Sequence, residues 1–185
     1  MEASVDIRSY IADTIQEAKA APSMGAVELR GAAVTASFPD IFYIETDDKS
    51  MGIKVYNQGH WVAAGDRVDI FGLVATDGNG EKYIEANDLE IGGVSDLHPV
   101  AMKNVSLGGA AWNHLPLIGG GQAGVAGGSG LNNIGLYIET FGTVTHSQTD
   151  HFYLDDGSGL SDGTVPVRPE SGCSGPTRPP RARTW

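Results

Sequence analysis

The amino-acid sequence predicts an all-β protein: a five-stranded barrel, an incomplete second copy of that barrel and a short helix at the N-terminus. The first observation is an internal repeat, since residues 34–44 align without a gap on residues 144–154 with six identities. The second is a series of short β-type runs between residues 27 and 91, separated by turn residues and without a long helical pattern. With 41% hydrophobic residues, the chain of 185 residues can bury a core.

A short amphipathic helix is predicted within residues 1–24. Its apolar residues recur at helical spacing with charged residues between them, at Ile7, Tyr10, Ile11, Ile15 and Ala18. Pro22 ends the pattern, because proline cannot donate the backbone hydrogen bond that a continuing helix needs. We expect about three turns, packed on the barrel or on another domain.

Five strands are predicted within residues 25–92, the first barrel. The turns at residues 47–50 and 77–80 separate these runs into hairpins, and the glycine and asparagine of the second turn tolerate the positive φ that it needs. Several short strands without an internal helix are typical of a small closed barrel. The β-type runs are 27–30, 42–45, 52–56 and 65–74, and the runs 83–86 and 89–91 close the unit.

The rest of the chain divides into a connector, a partial repeat and a tail. Residues 93–134 are rich in glycine and are expected to form an extended connector, although Trp112 and Leu115 indicate that part of it docks on a barrel. Residues 135–170 hold the second copy of the repeat, in which the later strands of the first copy have no match. Residues 171–185 have the Pro-, Gly- and Arg-rich composition of a disordered tail.

The charge balance disfavours two classes of partner. The net charge is −11, and residues 1–167 carry 22 acidic against 8 basic side chains, so the body of the protein repels phosphate and anionic lipid.

No apolar run approaches the ~20 residues of a membrane span, and the first residues do not form a signal peptide. Cys173 is the single cysteine, so an intrachain disulfide cannot form.

A set of short motifs along the chain forms a recognisable signature. Its members are Gly31-x-x-Val34-Thr35, Phe42-Tyr43-Ile44-Glu45, Gly52-Ile53-x-Val55, Gly65-Asp66-x-Val68 and Gly72, with the connector segment 130–136 and the acidic turn 155–159. The signature resembles the OB-fold, and in particular the tandem OB-like repeats of large bacterial exported or cell-surface proteins. The resemblance implies OB-like barrels and an exported or cell-surface location in bacteria, and it implies little about chemistry.

The second copy departs from this pattern because its later strands are missing. An abrupt end or a frame change near Arg168 would explain both this loss and the switch to a basic, Pro-rich tail. We therefore expect the chain to be a fragment or to have an altered C-terminus. An incomplete copy leaves unpaired strand edges, which predicts self-association by edge pairing.

Six side chains of the first barrel are candidates for a ligand-binding surface. OB barrels that bind single strands offer aromatic rings to the bases and a basic groove to the backbone. In residues 28–91 five cations face twelve carboxylates, which disfavours nucleic acid unless Lys54, Arg67 and Lys82 gather beside the aromatic rings. The candidates are Tyr43, Lys54, Tyr56, Trp61, Arg67 and Tyr83.

The favoured function is a non-catalytic module, a spacer or binding unit, of a larger exported or surface-associated bacterial protein. Its partner would be a glycan, a protein or a neighbouring module of a longer chain. The alternative is a nucleic-acid-binding OB-fold domain that takes single strands on the exposed aromatic rings, with the Arg-rich tail as a phosphate contact.

Catalytic, metal and cofactor sites are not predicted. No serine lies in a nucleophile elbow, and Cys173 lies in the tail without a plausible base. His146 and His151, spaced around Asp150, have no counterparts in the first copy of the repeat. The acidic turns lack the spacing of an EF-hand. The glycine run 119–124 cannot open the helix that a dinucleotide fingerprint requires.

Overall fold

The structure, a computed structural model, describes residues 11–115, 120–124, 128–147 and 152–158. Strands dominate these ranges, and their helical parts are one α-helix and one 3-10 helix. In chain order the elements are β1 Ile11–Ala12, α1 Ile15–Ala20, β2 Ala26–Ser37, β3 Ile41–Glu45, β4 Gly52–Tyr56, β5 Asp66–Thr76, β6 Lys82–Val94, β7 Val100–Ala101, the 3-10 helix Asn104–Ser106, β8 Trp112–Leu115, β9 Gly120–Gln122, β10 Ile138–Glu139, β11 Thr143–Ser147 and β12 Phe152–Asp155.

Strands β2 to β6 close into a five-stranded barrel. The order around the barrel is β2-β3-β4-β6-β5, and β5 pairs back onto β2. The neighbouring pairs are antiparallel except β4 with β6, which run parallel with Lys54 opposite Tyr83. The prediction of an all-β protein with an OB-like barrel is confirmed.

Strand β2 serves two neighbours because it bends in the middle. Its first half pairs with β5 and its second half with β3. At the register shift between Leu29 and Ala32, Gly31 has a φ of 65°, a conformation that residues with a Cβ rarely adopt. The carboxylate of Asp69 accepts a hydrogen bond from the Gly31 amide at 2.6 Å and holds the bend in place.

The core fills the inside of the barrel with side chains from all five strands. Alternation along each strand points every second residue inward, as the period of a half-buried strand requires. The buried apolar side chains of these strands are aliphatic apart from one phenylalanine, and they include Val27, Leu29, Val34, Phe42, Ile44, Ile53, Val55, Val68, Ile70, Val74 and Ile84.

The N-terminal helix is shorter than predicted. It begins after Thr14, whose hydroxyl caps the helix by accepting from the Glu17 amide at 3.2 Å, and it spans Ile15–Ala20. Ile11 and Ala12, predicted as helical, instead pair in parallel with the start of β2. Backbone pairing with the edge of β2 outweighs their helical periodicity, and the predicted residues 7–10 lie outside the described ranges.

The connector is folded against the barrel and not extended. The buried ammonium group of Lys19 in α1 donates to Asn132 Oδ1 at 3.2 Å and to the Ile134 carbonyl at 3.5 Å. The Thr35 hydroxyl of β2 donates to the Gly135 carbonyl at 2.9 Å. Glu45 of β3, fully buried, accepts from the Tyr137 amide at 2.9 Å. Residues 132–137 are therefore fixed on the barrel by side chains from α1, β2 and β3.

Two glycines, Gly52 and Gly135, allow the backbones of the barrel and of the segment docked on it to approach closely. A Cβ on Gly52 would lie 2.3 Å from the carbonyl carbon of Gly135, so neither backbone could come this near if Gly52 carried a side chain. Trp112, half-buried, also packs against the barrel core, as its sequence position indicated. The glycine content of the connector thus permits close packing of backbone on backbone.

Two buried asparagines replace regular secondary structure inside the connector. The Asn132 amide donates to the carbonyls of Ala110 and Ala123, at 3.1 and 3.3 Å. Asn133 Oδ1 accepts from the Gly108 amide at 2.6 Å, and its amide group donates to the carbonyl of Ser106. These side chains satisfy backbone groups that no sheet or helix reaches, as buried polar groups require.

The hairpin of β11 and β12 repeats the pairing of β2 and β3. Val144 lies opposite Leu154 as Val34 lies opposite Ile44, and the register shifts after Val144 as it does after Val34. The preceding segments also correspond, because β7 pairs in parallel with β10 as β1 pairs with β2. The sequence repeat is therefore matched by a repeat of strand register.

Burial separates the two hairpins. Val34 and Phe42 are both 0% exposed, whereas the aligned Val144 and Phe152 are 55% and 40% exposed. Asn104 joins this second hairpin to the connector, since its amide donates to the Leu154 carbonyl at 2.6 Å and its Oδ1 accepts from the Thr140 hydroxyl at 2.8 Å. The β2–β3 hairpin is thus part of a closed barrel, whereas the matching β11–β12 hairpin is a two-stranded sheet with an exposed apolar side.

Truncation of the two aligned phenylalanines is expected to have unequal effects. Phe42→Ala should lower the free energy of unfolding by about 3–5 kcal/mol, because it empties a fully buried site in the core. Phe152→Ala should lower it by about 1 kcal/mol or less, because that ring is partly exposed already. Urea titration of both variants measures this, and equal losses would contradict the two environments.

Burial of Lys19 predicts a pH dependence of stability. Burial lowers the pKa of its ammonium group from 10.5 to about 8, although the charge of Glu81 acts in the opposite direction. Between these two pH values the folded protein binds fewer protons than the unfolded chain, so stability rises with pH. The difference in unfolding free energy, wild type minus Lys19→Met, should therefore rise by up to about 3 kcal/mol between pH 7 and 10.5.

The matched control for this measurement is Lys103→Met, which removes an exposed lysine. Its difference from wild type should stay flat over the same pH range. A flat profile for Lys19→Met as well would mean that Lys19 is not buried as described.

Candidate functional site

Three of the six candidate residues lie side by side across the barrel. Tyr43 of β3 pairs with Lys54 of β4, and Lys54 pairs with Tyr83 of β6. Their chain neighbours point into the core, so these three side chains point outward. We call this surface, together with Tyr56, the tyrosine face. Tyr43, Lys54 and Tyr56 lie on the second and third strands of the barrel, and Tyr83 lies on the fifth. Ligand-binding OB-folds commonly use the face of their second and third strands.

The ammonium group of Lys54 lies at the centre of an ionic cluster. It donates to Asp77 Oδ2 at 2.8 Å and to Glu81 Oε2 at 2.7 Å. It also lies 5.5 Å from the centre of the Tyr83 ring, within the range of a cation–π contact. The Tyr43 hydroxyl donates to Glu81 Oε1 at 3.1 Å. One cation and two carboxylates thus leave the cluster with a net negative charge.

The turn between β5 and β6 brings both carboxylates to this face. Asp77 Oδ1 accepts from the amides of Asn79 and Glu81, at 2.9 and 3.0 Å, and this fixes the turn. Because β6 lies beside β4, the turn that precedes β6 ends next to Lys54. The position of the carboxylates is therefore a consequence of barrel closure.

The pKa directions in the cluster agree with an ion pair. Burial acts to lower the pKa of the Lys54 ammonium group, but the hydrogen bonds and charges of Asp77 and Glu81 outweigh it, so the pKa is raised. Burial acts to raise the pKa of Asp77, but Lys54 and the turn amides outweigh it, so that pKa is lowered. Both groups stay charged near neutral pH, and Lys54 is committed to its carboxylates.

The two further candidates on and after β4 are Tyr56 and Trp61. Tyr56 is two residues beyond Lys54 on β4, so its side chain shares that face. Trp61 is 83% exposed and lies in the loop after β4. Asp40 holds the loop, since its carbonyl accepts from the Asn57 amide at 3.0 Å and its carboxylate from the Gly59 amide at 3.2 Å.

Arg67 and Lys82 do not join Lys54. Arg67 lies on β5 opposite Ala33 of β2, where its guanidinium donates to the Gly31 carbonyl at 2.6 Å and to Asp47 Oδ1 at 2.8 Å. Lys82 is buried at the start of β6 and donates to the Ala21 carbonyl at 2.9 Å. The cationic patch that would favour nucleic acid is not formed, and Arg67 is placed outside the candidate face.

Three residues of the face were not among the sequence candidates. Asp77 and Glu81 are acidic residues of the β5–β6 turn, and their contact with Lys54 depends on the parallel pairing of β4 with β6. The Phe38 ring lies edge-on to the Tyr43 ring with 6.5 Å between centres. Phe38 belongs to the turn between β2 and β3, and that turn borders the ligand face of an OB-fold.

Other sites considered from the sequence acquire little support. Within the described ranges, no three His, Cys, Asp or Glu side chains are grouped so that they could hold a metal ion. The His146 ring lies 5.7 Å from that of Tyr153, while Asp150, His151 and Cys173 lie outside the described ranges. The same is true of Gly119 and of the predicted disordered tail. No helix in the described part of the chain is both long and apolar enough to span a bilayer.

Comparisons with known proteins include a structural likeness of low similarity. No family model matches the chain, and no curated protein matches it. A solved structure, described as the hypothetical protein ygiW from E. coli, aligns with 49% of this chain and 100% of its own with 24% sequence identity. The TM-score of that alignment is 0.37.

Proposed function

We propose that this chain is a non-catalytic OB-like binding module whose tyrosine face holds an uncharged, hydroxyl-rich ligand such as a glycan. The observation that supports this best is the pairing of Lys54 with both Asp77 and Glu81 between two tyrosines. The face offers rings for stacking and fixed polar groups for hydrogen bonds, and its net charge is negative.

At this face the aromatic rings would stack on the ligand, and the carboxylates would accept its hydrogen bonds. The rings of Tyr43 and Tyr83 flank Lys54 on the neighbouring strands, so a ligand lying across β3, β4 and β6 would meet both. Carboxylate oxygens of Asp77 and Glu81 accept hydrogen bonds from hydroxyl groups. Binding sites commonly combine aromatic walls with a few fixed polar groups in this way.

The rival function, binding of single-stranded nucleic acid, draws on the aromatic rings of the same face. Stacking of bases on such rings is common among OB-folds. Phosphate binding, however, needs cations that are available to it, and Lys54 is engaged by two carboxylates while Arg67 is engaged by Asp47 on another side of the barrel. Electrostatics therefore favours the uncharged ligand.

A non-catalytic role is supported by the way the carboxylates are used. Asp77 and Glu81 are bound to Lys54, and Glu45 is bound to Lys49 and to the Tyr137 amide. Asp48 accepts from Thr46 and Ser50 within its own turn. Each of these acidic groups has a structural task in the described ranges, and none is hydrogen-bonded to a histidine there.

We also propose that the described residues after Val100 begin a second OB-like unit of a longer, exported or surface-associated bacterial protein. The matching register and register shift of the β2–β3 and β11–β12 hairpins support the second unit. The location outside the cell rests on the resemblance of the sequence motifs to tandem OB-like repeats. Neighbouring modules of such a protein are then natural partners, and a spacer role accompanies binding.

Ligand binding tests this proposal with two probes, a glycan array and a fluorescently labelled single-stranded DNA. We expect glycan binding that Tyr43→Ala and Tyr83→Ala each weaken by about tenfold, because each removes a stacking ring. Phe71→Ala is the matched control, since Phe71 is an exposed aromatic residue on β5, away from the face. Labelled DNA should show no rise in anisotropy, even at low salt.

Two outcomes would contradict the proposal. Tight DNA binding that weakens steeply with salt would establish the nucleic-acid function instead. If no glycan on the array binds, a glycan is ruled out as the ligand, and the module would be a spacer or would bind a protein. Thermal unfolding of each variant distinguishes a lost contact from a lost fold.

A further inference from the structure

The segment that includes β9 contacts the turn that carries the carboxylates of the tyrosine face. The amide of Ala123, directly after β9, donates to the Gly80 carbonyl at 3.3 Å. Gly80 lies between Asp77 and Glu81 in the β5–β6 turn, and its own amide donates to the Asp77 carbonyl at 3.1 Å. A backbone contact from the connector therefore adds to the support that the turn receives from its own hydrogen bonds.

Asn132 joins this contact to the N-terminal helix. Its amide group donates to the Ala123 carbonyl at 3.3 Å, and its Oδ1 accepts from the Lys19 ammonium group of α1 at 3.2 Å. Burial lowers the pKa of Lys19, and the charge of Glu81 acts against this shift, so Lys19 is within electrostatic reach of the turn. A continuous series of hydrogen bonds thus runs from α1 through Asn132 and Ala123 to the β5–β6 turn.

Gln122 raises the free energy of the docked position of β9. The residue is fully buried, and neither Oε1 nor Nε2 of its side chain has a hydrogen-bond partner among the described residues. A buried amide without partners has lost its hydrogen bonds to water and has gained none in return. Release of β9 would return this amide to solvent. The docked position is therefore less stable, relative to the released one, than it would be with an apolar side chain of the same size.

We propose that β9 together with Ala123 is a releasable strap that controls the tyrosine face. The docked strap holds Gly80, and Asp77 and Glu81 then stay beside Lys54. Release of the strap removes this contact and lets the carboxylates move. A ligand that needs both carboxylates in place would favour the docked strap, so binding and docking stabilise each other. The effect on ligand affinity rests on the function proposed above, whereas the coupling of strap and turn does not.

Two substitutions with opposite expected effects test the strap. The measurement is amide hydrogen exchange of residues 79–81 in the full chain by nuclear magnetic resonance, relative to exchange in β3. Asn132→Ala removes the donor to Ala123 and should speed this exchange by about tenfold. Gln122→Met removes the unpaired amide at similar size and should slow it by about threefold.

Asn133→Ala is the matched control. Asn133 is also a buried asparagine of the connector, but its side chain bonds to the backbones of Ser106, Gly108 and Leu131. Its removal should lower the stability of the protein without a selective change in exchange at residues 79–81. Normalisation to β3 separates such a selective change from a change in overall stability.

A second readout follows the ionic cluster itself. Burial acts to raise the pKa of Asp77, but Lys54 and the turn amides outweigh it and lower that pKa. In Asn132→Ala the pKa of Asp77, followed through the chemical shift of its carboxyl carbon, should rise toward its ordinary value. The same pKa in wild type and Asn132→Ala would overturn the proposal.

The exchange data can also overturn the proposal in two ways. One is equal exchange at residues 79–81 in Asn132→Ala and Asn133→Ala, and the other is exchange in Gln122→Met that is no slower than in wild type. Both readouts are made without ligand. Failure of the strap and failure of glycan binding are therefore distinguishable.

Discussion

Parallel pairing of β4 with β6 is the contact on which the described barrel depends. It joins two segments that no hairpin connects, with Lys54 opposite Tyr83, and it turns the two antiparallel sets of strands into a closed surface. Closure decides which side chains are internal and places the β5–β6 turn beside β4. The ion pairs of Lys54 on the tyrosine face are therefore a consequence of topology, because the pairing of β4 with β6 brings Asp77 and Glu81 next to Lys54.

The position of the connector depends on a second set of contacts, which dock it on the barrel. Lys19 and Glu45 are charged residues at buried positions, and each is retained by hydrogen bonds to residues 132–137. Burial of a charged group is costly unless hydrogen bonds compensate for the lost water, so these contacts fix the docked position more narrowly than apolar packing would. Asn104 then positions the β11–β12 hairpin relative to the connector.

The repeated hairpin shows how local and long-range forces share the fold. Register and its irregularity are the same in both copies, although Ala36 and Ile41 of the first are replaced by His146 and His151 in the second. Register is thus encoded locally, by alternation and by turn chemistry. Burial is not local, because Val34 and Val144 are the same residue in the same register with 0% and 55% exposure.

The sequence was sufficient to predict the strands of the barrel, because period-two alternation and turn residues indicate them. Alternation alone left open which of Phe42 and Tyr43 faces the core. Contacts between segments far apart in the chain were beyond it. The ion pairs of Lys54 and the buried position of Lys82 depend on which strands become neighbours, and the repeat alone does not determine that. Helical spacing around Ile11 was misleading because an edge of β2 was available to pair with it. The glycine content suggested an extended connector. In the structure the glycines instead allow the backbone of the connector to pack closely on other backbone segments.

Closure of the barrel through β4 and β6 is tested most directly by interstrand nuclear Overhauser effects in isotopically labelled protein. We expect contacts between the backbones of Lys54 and Tyr83 and of Val55 and Ile84 in a parallel register, together with contacts between β2 and β5. Absence of the β4–β6 contacts, or an antiparallel pattern between these strands, would contradict closure. The assignment of Asp77 and Glu81 to the tyrosine face would then be lost with it.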